Sequence, residues 1–156
     1  MPSLEPLLTY TVTAEGPLAD TTGAPGGTVQ YWALTEARIT GDTPDGVVDL
    51  TLARPGSDHM RVSDDGYWRP DCRLAFSSPE GDTVLLHYAG LVETNATFTA
   101  AAETDRPTGF ADQYLRMTLT FETGADRYRW LTQSLWIAEG RLLGTGRMEY
   151  RLHRVT

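Results

Sequence analysis

Residues 113–122, Gln-Tyr-Leu-Arg-Met-Thr-Leu-Thr-Phe-Glu, alternate strictly. Leu115, Met117, Leu119 and Phe121 interleave with Tyr114, Arg116, Thr118, Thr120 and Glu122. Successive side chains of a strand point to opposite faces, so a two-residue period marks a β-strand with one apolar and one polar face. If the polar face looks into an enclosed sheet, it lines a chamber for a polar small molecule. If it looks at water, the strand is a scaffold wall. We expect the first arrangement, with the row centred on Arg116 lining a water-poor chamber.

Similar segments recur along the chain with turn signals between them. Leu7–Ala14 reads as a strand, followed by a Gly/Pro-rich connection through Gly16, Pro17, Gly23, Pro25, Gly26 and Gly27. Thr28–Thr40 reads as two strands or one bent strand, and Thr43-Pro44-Asp45-Gly46 as a turn. Val47–Ala53 is a strand, Arg54–Asp58 a turn, Met60–Val62 a brief pairing and Asp64-Asp65-Gly66 another turn. Asp71–Phe76 and Thr83–Tyr88 form strands around a Ser78–Asp82 hairpin connection, and Leu91–Phe98 follows after Ala89-Gly90. Residues 100–112 read as a loop or frayed helix, because Pro107 and Gly109 prevent a long one. Asp126–Thr132 is the one convincing helical piece, and Gln133–Glu139 and Gly146–His153 close the chain as strands. About nine or ten strands at this spacing predict an antiparallel sandwich or barrel, built as a single domain over residues 1–156.

Composition removes whole classes of chemistry. All 13 basic residues are arginine, so Schiff-base chemistry, a lysine general base and a Walker lysine are excluded. A net charge of −8 with no basic stripe argues against a nucleic-acid partner. No apolar run approaches the ~20 residues of a membrane span, so no membrane partner and a cytoplasmic location are expected. The single cysteine, Cys72, allows no internal disulfide and reads as a buried, inert thiol. His59, His87 and His153 lack metal-ligand spacing, no Gly-x-Ser-x-Gly elbow occurs, and Gly23-x-x-Gly26-Gly27 lacks a strand-to-helix setting. Neither a metal nor a cofactor is expected.

The C-terminal half carries Phe121-Glu122-Thr123-Gly124-x-x-Arg127-Tyr128-x-Trp130-Leu131, then Ile137-Ala138-x-Gly140-Arg141. The first half carries Leu4-Glu5-Pro6-Leu7, Asp58, Asp65-Gly66, Asp71-x-Arg73 and Gly90. In this order they resemble the small bacterial and fungal barrels of domain-of-unknown-function family 3237, over nearly the whole chain. The resemblance implies an all-β, single antiparallel β-barrel of calycin or lipocalin-like type, with one short helix near residues 126–132. It also implies a setting in secondary metabolism. Two departures fall near the polar face. Asp58-His59 stands where the family carries Asp-Trp, and Met117-Thr118-Leu119 where it carries Thr-x-Pro.

Candidate site residues follow from the side chains such a barrel needs. Asp58, His59, Asp71 and Arg116 are the candidate catalytic groups: two carboxylates and a histidine to move protons, a guanidinium to hold a developing enolate or carboxylate. Trp68, Arg73, Tyr88, Tyr114 and Thr118 are the candidate substrate-binding groups, as aromatic wall and hydrogen-bonding partners. For each charged residue the alternative is a solvated outer sheet face. The leading expectation is a cofactor-independent cyclase, isomerase or lyase acting on a polyketide-like small molecule. The alternative is a non-catalytic carrier or sensor with the same cavity, and a third reading is a barrel filled by its own side chains. A two-fold homodimer is also expected.

Overall fold

A computed structural model describes residues 1–156. Strands β1 (Leu4–Asp20), β2 (Thr28–Thr43) and β3 (Gly46–Val62) form a long antiparallel meander. There follow β4 (Tyr67–Arg69), β5 (Asp71–Ser77), β6 (Thr83–Glu93), helix α1 (Ala96–Glu103) and β7 (Leu115–Glu122). A 3₁₀ turn at Asp126–Tyr128 runs into helix α2 (Arg129–Thr132), and β8 (Leu135–Gly144) and β9 (Arg147–Val155) complete the chain. Because β9 pairs with β1 and β3 pairs with β5, eight strands close into an antiparallel barrel, with β4 an extra strand bridging β3 and β6. Closure leaves no free edge, and eight strands enclose room for packed side chains or one small ligand. No helix is long and apolar enough to cross a membrane.

Alternation builds the wall. Leu8, Tyr10 and Val12 of β1, Cys72, Leu74 and Phe76 of β5, and Val84, Leu86 and Tyr88 of β6 are all buried, while their immediate neighbours are less so. On β7 the inward face is Leu115, Met117, Leu119 and Phe121. The row centred on Arg116 therefore faces outward, and the expectation that it lines a chamber is overturned. Moving a guanidinium into the interior costs several kcal/mol unless a well-placed partner offsets it, whereas water on the outer face supplies that partner freely.

Several boundaries differ from the sequence reading. Strand β3 does not turn at Arg54–Asp58: register shifts between Leu52 and Ser57 let it bend and continue, with Asp58 and Met60 inward. Strand β1 likewise runs on past Gly16-Pro17 to pair Ala19 with Tyr31. Strand β6 passes through Ala89-Gly90, and the residues expected as a strand over 91–98 instead end β6 and start α1. Asn95 caps α1 by accepting from the Phe98 N–H at 2.9 Å.

The two barrel ends are built differently. At one end Tyr128 and Leu131 plug the interior, and the Trp136 indole N–H donates to the Leu131 carbonyl at 2.9 Å. At the other, α1 lies across the opening, its end tied to the β8–β9 turn by the Thr145 hydroxyl donating to the Ala102 carbonyl. Between α1 and the packed base the interior is incompletely filled.

Candidate functional site

The unfilled space beneath α1 is a cavity of about 320 Å³. Thirteen of its nineteen lining residues are hydrophobic, so its walls suit an apolar molecule. Trp32, Met60, Trp68, Phe98 and Leu142 form much of that wall, with Trp68 and Phe98 meeting edge to face at 6.0 Å. The polar groups converge elsewhere in the same space: Asp58, Cys72, Tyr88 and Tyr150.

Strand register explains why they meet. Asp58 pairs with Cys72 across β3–β5, and Cys72 pairs with Tyr88 across β5–β6, so three inward side chains stand side by side on adjacent strands. Tyr10 pairs with Tyr150 across β1–β9, their rings stacked at 5.5 Å, and the Tyr10 hydroxyl reaches across to donate to the Tyr88 hydroxyl at 3.2 Å. Gly140 sits opposite Tyr150, where a side chain would collide with the Tyr150 ring. The Tyr150 hydroxyl donates to Met148 Sδ at 3.4 Å.

Asp58 is the one buried carboxyl in the cavity, 7% exposed, and no arginine lines the space around it. The Asp71 backbone N–H donates to its Oδ1 at 3.0 Å, and Cys72 stands beside it in the β3–β5 register. Burial raises the Asp58 carboxyl above the ordinary aspartate value and outweighs the Asp71 N–H, which acts to lower it. Burial likewise pushes the phenols of Tyr10, Tyr88 and Tyr150 and the Cys72 thiol well above their usual values. The result is a carboxyl that favours its protonated form beside hydroxyl and thiol groups that do the same.

Of the residues singled out from the sequence, the structure brings Asp58, Trp68 and Tyr88 together at the cavity. The others lie outside the barrel. His59 points outward beside the Tyr31 ring, 5.5 Å away. Asp71 and Arg73 share the exposed face of β5, with Asp71 paired to His87 at 2.7 Å. Arg116 pairs with Glu139 at 3.7 Å and lies over the half-exposed Tyr114 ring, and Thr118 faces solvent. One reason covers all six: each has the parity opposite that of the buried residues of its strand. Tyr10, Tyr150, Trp32 and Phe98 escaped the sequence reading. For Tyr10 and Tyr150 a signal was present, since each stands between apolar residues on an inward face, Leu8 and Val12 or Met148 and Leu152.

This placement predicts that Arg116→Met leaves ligand binding and any turnover in the cavity unchanged. Its effect on unfolding free energy is within about 1 kcal/mol, the range of a solvent-screened ion pair. A loss of binding with an intact fold, measured by calorimetry, would contradict the placement.

The family described as a protein of unknown function (DUF3237) matches over residues 2–155. No curated protein matches the sequence. Among solved structures, a conserved protein of unknown function from Rhodopseudomonas palustris superposes with a TM-score of 0.82 at 18% identity, covering 100% of this chain and 98% of its own. A beta-barrel like protein from Acinetobacter baumannii gives 0.79 at 21% identity, covering 100% and 97%. A protein described as an enzyme, from Penicillium herquei, gives 0.66 at 18% identity, covering 99% and 95%. At these identities the likeness is one of fold.

Proposed function

We start from the fact that this chain belongs to the DUF3237 family, and propose that its cavity is the active site of an enzyme acting on a small polyketide-like molecule. The reaction is a ring closure, isomerisation or elimination run by the chain's own side chains. Asp58 gives a proton to one position of the substrate and recovers one from another, so the carboxyl ends as it began. Tyr88 and Tyr150 offer hydroxyl donors to oxygen atoms that gain charge on the way, and Tyr10 supports Tyr88 by donating to its hydroxyl, in a setting from which water is largely excluded. The aromatic walls hold the molecule in a reactive shape. The observation that carries this reading is Asp58 itself. A carboxyl desolvated beside a cavity and left without a cationic partner costs folding energy that an apolar residue would not. The description of the Penicillium herquei fold neighbour as an enzyme agrees with this class.

The largely apolar wall favours a second reading, a carrier that binds the same kind of molecule without changing it. Incubation with small phenolic enones in D₂O separates the two. The enzyme converts a substrate to a product of equal mass that carries deuterium on carbon when the reaction runs in D₂O, or, by elimination, to a product of substrate mass less a small leaving molecule. Ligand that binds but is recovered unchanged and unlabelled assigns the chain to the carriers.

A further inference from the structure

We infer that the cavity takes uncharged molecules and rejects anions, so that the reaction supplying its substrate must first remove or mask any carboxylate or phosphate. This rests on the small-molecule site proposed above, though not on turnover there. The chain has thirteen cationic side chains, all arginine, and none lines the cavity. Nine of them are matched to carboxylates elsewhere: Arg38, Arg69, Arg116, Arg127, Arg129, Arg141, Arg147, Arg151 and Arg154. The two ionisable groups of the lining with low intrinsic pKa are both acids, Asp58 within and Glu103 on α1 at the opening.

An entering carboxylate would exchange its hydration for Trp32, Trp68, Phe98 and Met60, with no base to pair with, in a molecule of net charge −8. A neutral carbonyl, hydroxyl or ether meets none of these costs and finds the Tyr88 and Tyr150 hydroxyls and the Asp58 carboxyl. The preceding step therefore belongs to the reactions that discharge an acid. Decarboxylation, ester formation and release from a thioester carrier by ring closure qualify; hydrolytic release to a free acid does not.

The matched probes are 2-naphthoate and methyl 2-naphthoate, titrated into the full chain by calorimetry at pH 7.5. The ester is the bulkier, so size alone would favour the acid. The expected result is a Kd at least tenfold lower for the ester. The gap contracts in Asp58→Asn and, less, in Glu103→Gln, whose exposed site carries no folding risk. Equal or tighter binding of the acid overturns the charge selection and leaves the small-molecule cavity standing. If neither naphthalene probe binds, nor benzoate or methyl benzoate, the cavity reading falls with it.

Discussion

Asp58→Asn lowers kcat about 10²–10⁴-fold, the usual share of a general acid–base group, and at the same time raises the melting temperature at neutral pH. The two effects have one cause. Burial raises the folded-state pKa of Asp58 above its unfolded value. The protonated carboxyl is thus the form the fold prefers, and its contribution to stability is complete below the unfolded pKa. That contribution is lost as pH rises through the folded pKa, where the desolvated carboxylate must form. Asparagine cannot ionise, and its side-chain oxygen still accepts the Asp71 N–H that Asp58 accepts at 3.0 Å. The variant and the parent therefore melt together in acid and diverge as pH climbs across the window between the two pKa values. Each kcal/mol of difference corresponds to about 2–4 °C in a domain of this size. The limb of the kcat/KM profile set by Asp58 disappears in the variant. Paired thermal melts and rate profiles from pH 3 to 8 check both arms. A variant that melts below the parent at neutral pH would show Asp58 to be a structural anchor.

The same residue shows what the sequence could and could not reveal. Period two states that the faces of a strand differ; it does not state which face is inside. For β5 the apolar run Cys72, Leu74, Phe76 identifies the inner face, and by the same logic Asp71 and Arg73 belong outside. Applied to β7, that logic sends Arg116 to solvent, and our expectation departed from it by giving weight to the chemistry an inward arginine would allow. Asp58 was visible as a candidate because it is acidic and adjoins His59, but its neighbours Pro55 and Gly56 read as a turn. Only the register shifts of β3 keep the strand going and swing Asp58 inward. Tyr10 and Tyr150 were harder. A tyrosine between apolar residues looks like ordinary core, and their meeting with Tyr88 depends on closure of the barrel by β1 and β9, a pairing between residues about 140 apart in sequence. The cavity itself has no sequence signature, since an interior that is filled and one that is not use the same alternation.

Gly90→Ala destabilises the fold by about 3 kcal/mol or more, at or above the upper end of the usual cost of overpacking. In the sequence this glycine looks like a break between two strands, whereas in the structure it lies within β6, opposite Met117 of β7. A methyl group there would collide with the Arg116 carbonyl oxygen and approach the Met117 Cα to 2.8 Å. Both are backbone atoms, so no rotamer change relieves the overlap. Relief requires β6 and β7 to separate, which strains ladder hydrogen bonds worth about 0.5–1.5 kcal/mol each and opens a seam in a barrel whose stability depends on closure. Tyr88 lies two residues away on the same strand, so the seam also displaces its hydroxyl from Tyr10 and the cavity loses its polar cluster. Gly124→Ala supplies the contrast: nothing lies within 4 Å of its added methyl and its backbone needs no positive φ. It should be neutral or stabilising by about 0.4–1 kcal/mol through loss of unfolded-state entropy. Urea denaturation of the two variants beside the parent measures the difference. Equal midpoints would mean that β6 and β7 do not approach as closely as the structure places them, and that the barrel can yield at this seam.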